Sequence, residues 1–171
     1  MIKCLAKCRG SYYDMVKNHV HAVNFVTSYR TYQDFMKYRD KQQVLIVEQG
    51  FVQHAISLFY DKHIPSESTL FPIWEMVKDA GNSLVSINCD NDINTVMNRL
   101  RKRPSNASRL DKLEEDEMKK TLMIQVENFA KARKGRSKIF GGTELTLDTN
   151  NTPSFNAEQI MKIIRKRLFA S

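Results

Sequence analysis

Nowhere in these 171 residues does an apolar run approach the ~20 residues that a helix needs to cross a bilayer, so no membrane span is expected. Cysteine is scarce. Cys4, Cys8 and Cys89 form an odd set with no dense framework, which excludes a disulfide scaffold and suits a reducing cytoplasm. The opening Met1-Ile2-Lys3-Cys4 begins no long apolar core with a cleavage site, so no secretory leader is expected. Cys4, Cys8, His19 and His21 match no closed zinc spacing, and two histidines two positions apart face different sides of a helix. No Gly-x-Ser-x-Gly occurs and Cys89 has no histidine close in sequence, which leaves a nucleophilic hydrolase without a motif. Acids are also short: 27 Lys and Arg face 19 Asp and Glu, for a net charge of +8. That balance suggests an anionic ligand such as a phosphate or a nucleic acid. No aromatic stacking platform is interleaved with the basic runs, which weakens the nucleic-acid reading.

What is present is ordinary for a globular protein, with 42% hydrophobic and 27% charged residues. A single domain over 1–171 is expected, large enough for a real core. The chain is organised around Val44-Leu45-Ile46-Val47-Glu48-Gln49-Gly50. Four aliphatic residues without a break read as a strand buried on both faces, and the polar trio would stand at its carboxyl end. In open α/β sheets that end is where ligands bind.

The segment from Ser11 to Arg39 holds no Pro or Gly, and Phe25, Tyr29, Tyr32 and Met36 make one helical stripe, read as core packing. Further helices are expected at Phe51–Tyr60 and Leu70–Ala80, the second with Pro72 in its first turn and Gly81 as a stop. Ser83–Cys89 reads as a second strand. Asn91 or Asp92 caps the next helix, whose buried face is Ile93, Val96, Met97 and Leu100. A long helix is expected from Asp111 to Lys134, acidic in its first turns, basic in its last and ended by Gly135. Leu145–Leu147 reads as a third strand ending in Asp148 and Thr149. Asn156 is expected to cap a last helix with Ile160, Ile163, Ile164 and Leu168 inward. Strands alternating with helices imply an α/β fold, a three-layer parallel sheet flanked by helices.

In order and spacing, roughly residues 10–170 resemble a P-loop nucleotide kinase of the thymidylate-kinase-like group. Val44–Gly50 is similar to that family's apolar strand ending in an acid. Val96–Arg109 is similar to its lid, with 99–110 as the lid-like basic segment, and Leu145–Thr149 with the following helix to its last strand and helix. The resemblance implies ATP and Mg²⁺ as cofactors and a nucleotide or other phosphate-bearing small molecule as ligand. It implies Glu48 as catalytic acid and metal ligand, Arg99 and Arg103 as phosphate clamps, and Gln49, Gly50, Arg109, Asp148 and Thr149 around the cofactor. Gln49 stands where many relatives carry a second acid, and an amide cannot take a proton.

One departure is large. No Gly-x-x-x-x-Gly-Lys-Ser/Thr occurs, so the phosphate-binding loop is missing. The sequence therefore reads as the later three quarters of such a kinase. The central strand of its sheet would be absent, leaving an unpaired edge for self-association or direct pairing of 44–48 with 83–88. Two function classes stand open: an ATP-dependent phosphotransferase or its inactive remnant, and a non-catalytic basic module. The latter would bind a protein or nucleic acid through Arg99–Arg103, Lys131–Lys138 and Lys162–Arg167.

Overall fold

The computed structural model describes residues 12–40, 43–47, 50–59, 62–79, 84–104, 108–139 and 141–168. In chain order these form helices α1 (Tyr12–Tyr38) and α2 (Phe51–Ser57), a 3₁₀ turn (Glu67–Leu70) and α3 (Phe71–Val77). Then come strand β1 (Val85–Asp90), α4 (Ile93–Arg101), a second 3₁₀ turn (Leu110–Lys112), α5 (Glu115–Ile139), β2 (Thr143–Asp148) and α6 (Pro153–Leu168). The expected three-layer parallel sheet is not what forms. Among the described residues helices dominate, and the sheet is one parallel pair, β1 beside β2, with Val85 opposite Thr143 and Asp90 opposite Asp148.

The sheet is small because the apolar side chains find their partners on helices. Ala22 and Phe25 of α1, Ala55 and Ile56 of α2, Ile73, Trp74 and Val77 of α3, and Ala132 of α5 share one buried cluster. The aromatic stripe of α1 serves that core: Tyr29 stacks on Tyr32, and both meet the ring of Phe51. A second cluster joins Met97 and Leu100 of α4 to Met118 and Leu122 of α5, with Ile93 and Val96 against it. This is the face that the spacing of α4 demanded. Helix α5 thus packs one core with its first half and the other with its second.

Residues 44–47 are neither strand nor helix, and Ile46 is 85% exposed. A four-residue aliphatic run is buried only where flanking strands accept it, and here α1, α2 and α5 close the core without it. Direct pairing of 44–48 with 83–88, one of the outcomes expected, is not seen among the described residues, where 44–47 pair with no strand and β1 pairs with β2.

Three boundaries also move. Gly135 does not end α5; it is buried within the helix, one turn before its end, where an added Cβ would lie 2.8 Å from the Glu67 carbonyl oxygen and 3.3 Å from Trp74 Nε1. The glycine is there to admit a neighbouring backbone, not to stop the helix. Asn156 does not cap α6. Thr152 does, its Oγ1 accepting the Phe155 N–H at 3.3 Å, with Pro153 in the first helical position. The segment expected as one helix from Leu70 begins instead as the 3₁₀ turn at Glu67, and Pro72 does sit in the first turn of α3. Of the two candidate caps for α4, Asp92 is the one used, accepting the Thr95 N–H at 2.9 Å.

Candidate functional site

β1 and β2 run parallel, so their carboxyl ends lie side by side, each followed within a few residues by a helix N-terminus. β1 ends in Asp90, and Asn91-Asp92 leads into α4. β2 ends in Asp148, and Thr149 to Thr152 leads into α6. Helix N-termini favour negative charge.

Thr149 ties this end together. Its N–H donates to the Asp90 carbonyl at 3.2 Å, and its hydroxyl donates to the same oxygen at 3.3 Å. Arg99 Nη1 donates to that hydroxyl at 2.8 Å and Arg99 Nη2 to the Thr149 carbonyl at 3.1 Å. The Asn91 amide donates to the hydroxyl as well. Arg99 reaches the site because α4 starts at the end of β1 and buries Met97 and Leu100, which turns position 99 outward. Asp148 carries the turn: its Oδ1 accepts the Asn150 N–H at 2.8 Å and its carbonyl accepts Asn156 Nδ2 at 2.9 Å. Asn156 Oδ1 is buried beside this turn with no hydrogen-bond partner among the described residues. The Asp92 carboxyl is held below its ordinary range by hydrogen bonds from the Thr95 hydroxyl and backbone.

Of the residues singled out in the sequence, Arg99, Asp148 and Thr149 meet at this strand end. Among the described residues, the others do not join them. Arg103 is exposed beyond the end of α4, with its N–H on the Leu100 carbonyl. The Arg109 guanidinium lies 3.3 Å from His21 Nε2, against α1. Gly50 precedes α2 as its cap, with its carbonyl accepting the His54 N–H at 3.2 Å. Glu48 and Gln49 lie outside the described residues. The sequence reading missed Asp90 and took Asn91 and Asn156 only as helix caps. The signal was present, since Asp90 and Asn91 follow the second apolar strand as Glu48 and Gln49 follow the first.

The basic run of α5 is spent inside the fold. Lys131 Nζ donates to the Ile64 carbonyl at 2.9 Å, and Lys134 and Lys138 both grip Glu67. Arg133 and Arg136 each reach Glu144 at 3.0 Å, and Arg136, almost fully buried, also bonds Ser86. Hydrogen bonds from Lys134 and Lys138 hold the Glu67 carboxyl below its ordinary range. An open groove of about 520 Å³ lies over this region, lined by Ser66, Glu67, Ser68, Phe71, Lys131 and Lys138. Its cations are already committed to Glu67 and Ile64.

Among the described residues no three His, Cys, Asp or Glu side chains converge as a metal site, and no helix is long and apolar enough to cross a membrane. Compared with known proteins, the chain matches no family model, no curated protein and no solved structure.

Proposed function

We propose that the chain binds a phosphate-bearing small molecule, of the nucleotide type, where β1 and β2 end. The observation that carries this reading is the Arg99 guanidinium, anchored on Thr149 beside two helix N-termini. Two of its five N–H groups are used there, so the rest can donate to a phosphate oxygen. Asp90 and Asp148, opposite each other in register, would repel a bare anion. They favour a ligand that brings its own cation, since Mg²⁺ is commonly held by one or two carboxylates together with phosphates. The residues therefore fit a magnesium–nucleotide complex better than free phosphate, and Mg²⁺ would supply charge neutralisation there.

The reading is of binding without turnover. Phosphoryl transfer rests on positioning and charge neutralisation, and no Gly-x-x-x-x-Gly-Lys-Ser/Thr supplies either. The cysteine content keeps the cytoplasm as the expected compartment. The alternative, a basic surface for nucleic acid or an acidic protein, has less support because the Lys131–Lys138 run is paired internally.

Calorimetric titration with ATP, with and without Mg²⁺, tests the proposal. Binding is expected to need Mg²⁺ and to weaken about tenfold or more in Arg99→Ala, the worth of one charge-assisted hydrogen bond. Affinity unchanged by that substitution, or no binding with Mg²⁺ present, would refute it.

A further inference from the structure

Among the described residues the β1–β2 ladder leaves one edge of β1 unpaired. Thr143 N–H donates to the Leu84 carbonyl and Thr149 N–H to the Asp90 carbonyl. In a parallel ladder this phase turns residues 84, 86, 88 and 90 toward β2. Val85, Ile87 and Cys89 therefore direct their N–H and C=O groups to the opposite side, where no described residue bonds them. Ile87 is 41% exposed and Cys89 is exposed. An isolated pair of strands is marginal in water, and an open edge is a template for another strand.

The same chain carries an extended aliphatic run that pairs with no described residue. Val44–Val47 follows a turn closed by the Gln43 N–H on the Asp40 carbonyl, and its own backbone bonds to no described residue. Val44, Ile46 and Val47 are all exposed. In a chain with 27% charged residues, neither Val44–Val47 nor Val85–Cys89 contains a charge. Both thus lack the lysines and prolines that natural edges use to refuse partners.

We propose that two copies of this chain exchange these elements, Val44–Val47 of each adding as a strand to the free edge of β1 in the other. Among the described residues of one copy the run lies at the surface and the edge is unpaired, and two such charge-free, complementary elements on every copy make a second copy the occupant. A two-fold exchange satisfies both edges at once and closes, which makes a dimer rather than a fibre. The pairing buries Ile46 against the Ile87 side of β1 and gives the backbone groups of Val85, Ile87 and Cys89 partners. It is independent of any ligand at the strand ends.

Sedimentation equilibrium of the full chain tests this. A reversible monomer–dimer equilibrium is expected, strengthened by salt because two copies of charge +8 repel less when screened. Ile46→Lys and Ile87→Lys are each expected to raise the dimer dissociation constant about tenfold or more. Ile46 is so exposed that its substitution leaves the monomer's thermal unfolding unchanged. Ile46→Cys, with Cys4 and Cys8 changed to Ser, is expected on oxidation to join position 46 of one copy to Cys89 of the partner subunit. A monomer at every concentration, a dimer indifferent to both lysine substitutions, or a disulfide confined to one chain would each overturn the proposal.

Discussion

Asn128 stands at the middle of α5 with no exposed surface, and its amide holds the chain that leaves α2. Its Oδ1 accepts the Ile64 N–H at 2.7 Å, while Nδ2 donates to the carbonyls of Phe59 at 3.1 Å and Lys62 at 2.8 Å. Removing the amide does not cost three equal bonds. Phe59 O keeps the Lys62 N–H at 3.2 Å, and Lys62 is exposed, so water can reach its carbonyl. The Ile64 N–H, on a residue with no exposed surface, loses its acceptor outright. A buried donor left unmade costs roughly 1–3 kcal/mol, so Asn128→Ala is expected to cost about 2–4 kcal/mol once the weaker losses are added. Asn128→Asp separates hydrogen bonding from packing. It keeps an acceptor for Ile64 but turns a carboxylate toward two carbonyls, so it should be worse than Ala at neutral pH. Its carboxyl would be raised in the folded state, so its deficit should shrink as pH falls. Urea unfolding followed by fluorescence reads both, because Trp74 is the only tryptophan and is fully buried. A loss under about 1 kcal/mol for Ala, or an Asp variant no worse than Ala at neutral pH, would refute the reasoning.

Gly135→Ala should destabilise the protein despite the better helix propensity of alanine. The gain of about 1 kcal/mol is set against a Cβ placed 2.8 Å from the Glu67 backbone, an overpacking that costs about 1–3 kcal/mol; urea midpoints would show it. His54 is buried with its Nε2 3.1 Å from Ser28 Oγ, and desolvation lowers its pKa from the ordinary 6.5. A base with a depressed folded value contributes stability above pH 6.5 that is lost as pH falls through the folded value. Melting temperature should therefore drop on acidification below pH 6.5, and His54→Gln should flatten that part of the profile. Thermal melts of wild type and variant across that range check it.

Helices were legible where one face had to be apolar. Ile93, Val96, Met97 and Leu100 follow helical spacing and pack as that spacing requires, and Phe25 and Tyr29 of the α1 stripe likewise join the core. Val44–Val47 failed because burial of an aliphatic run is decided by its neighbours, and periodicity in so short a run says nothing of them. Gly135 failed because a close approach and a helix stop demand the same residue. At the strand end, Arg99, Asp148 and Thr149 were legible from their placement after strands. Their meeting through the Thr149 hydroxyl depends on the β1–β2 register, which spans 58 residues and leaves no local trace.

That separation also sets a timetable. The two clusters gather from helices that form quickly from local contacts, whereas β1 must wait for β2 across a long closed loop. The strand end then belongs to the late part of folding, after the barrier. Contacts made there change how long the native state lasts rather than how fast it is reached. Arg99→Ala and Thr149→Ala should thus quicken unfolding in stopped-flow experiments and leave the refolding rate almost untouched. A ligand seated on Arg99 would act in the same direction as a brake, prolonging the folded state without hastening its formation.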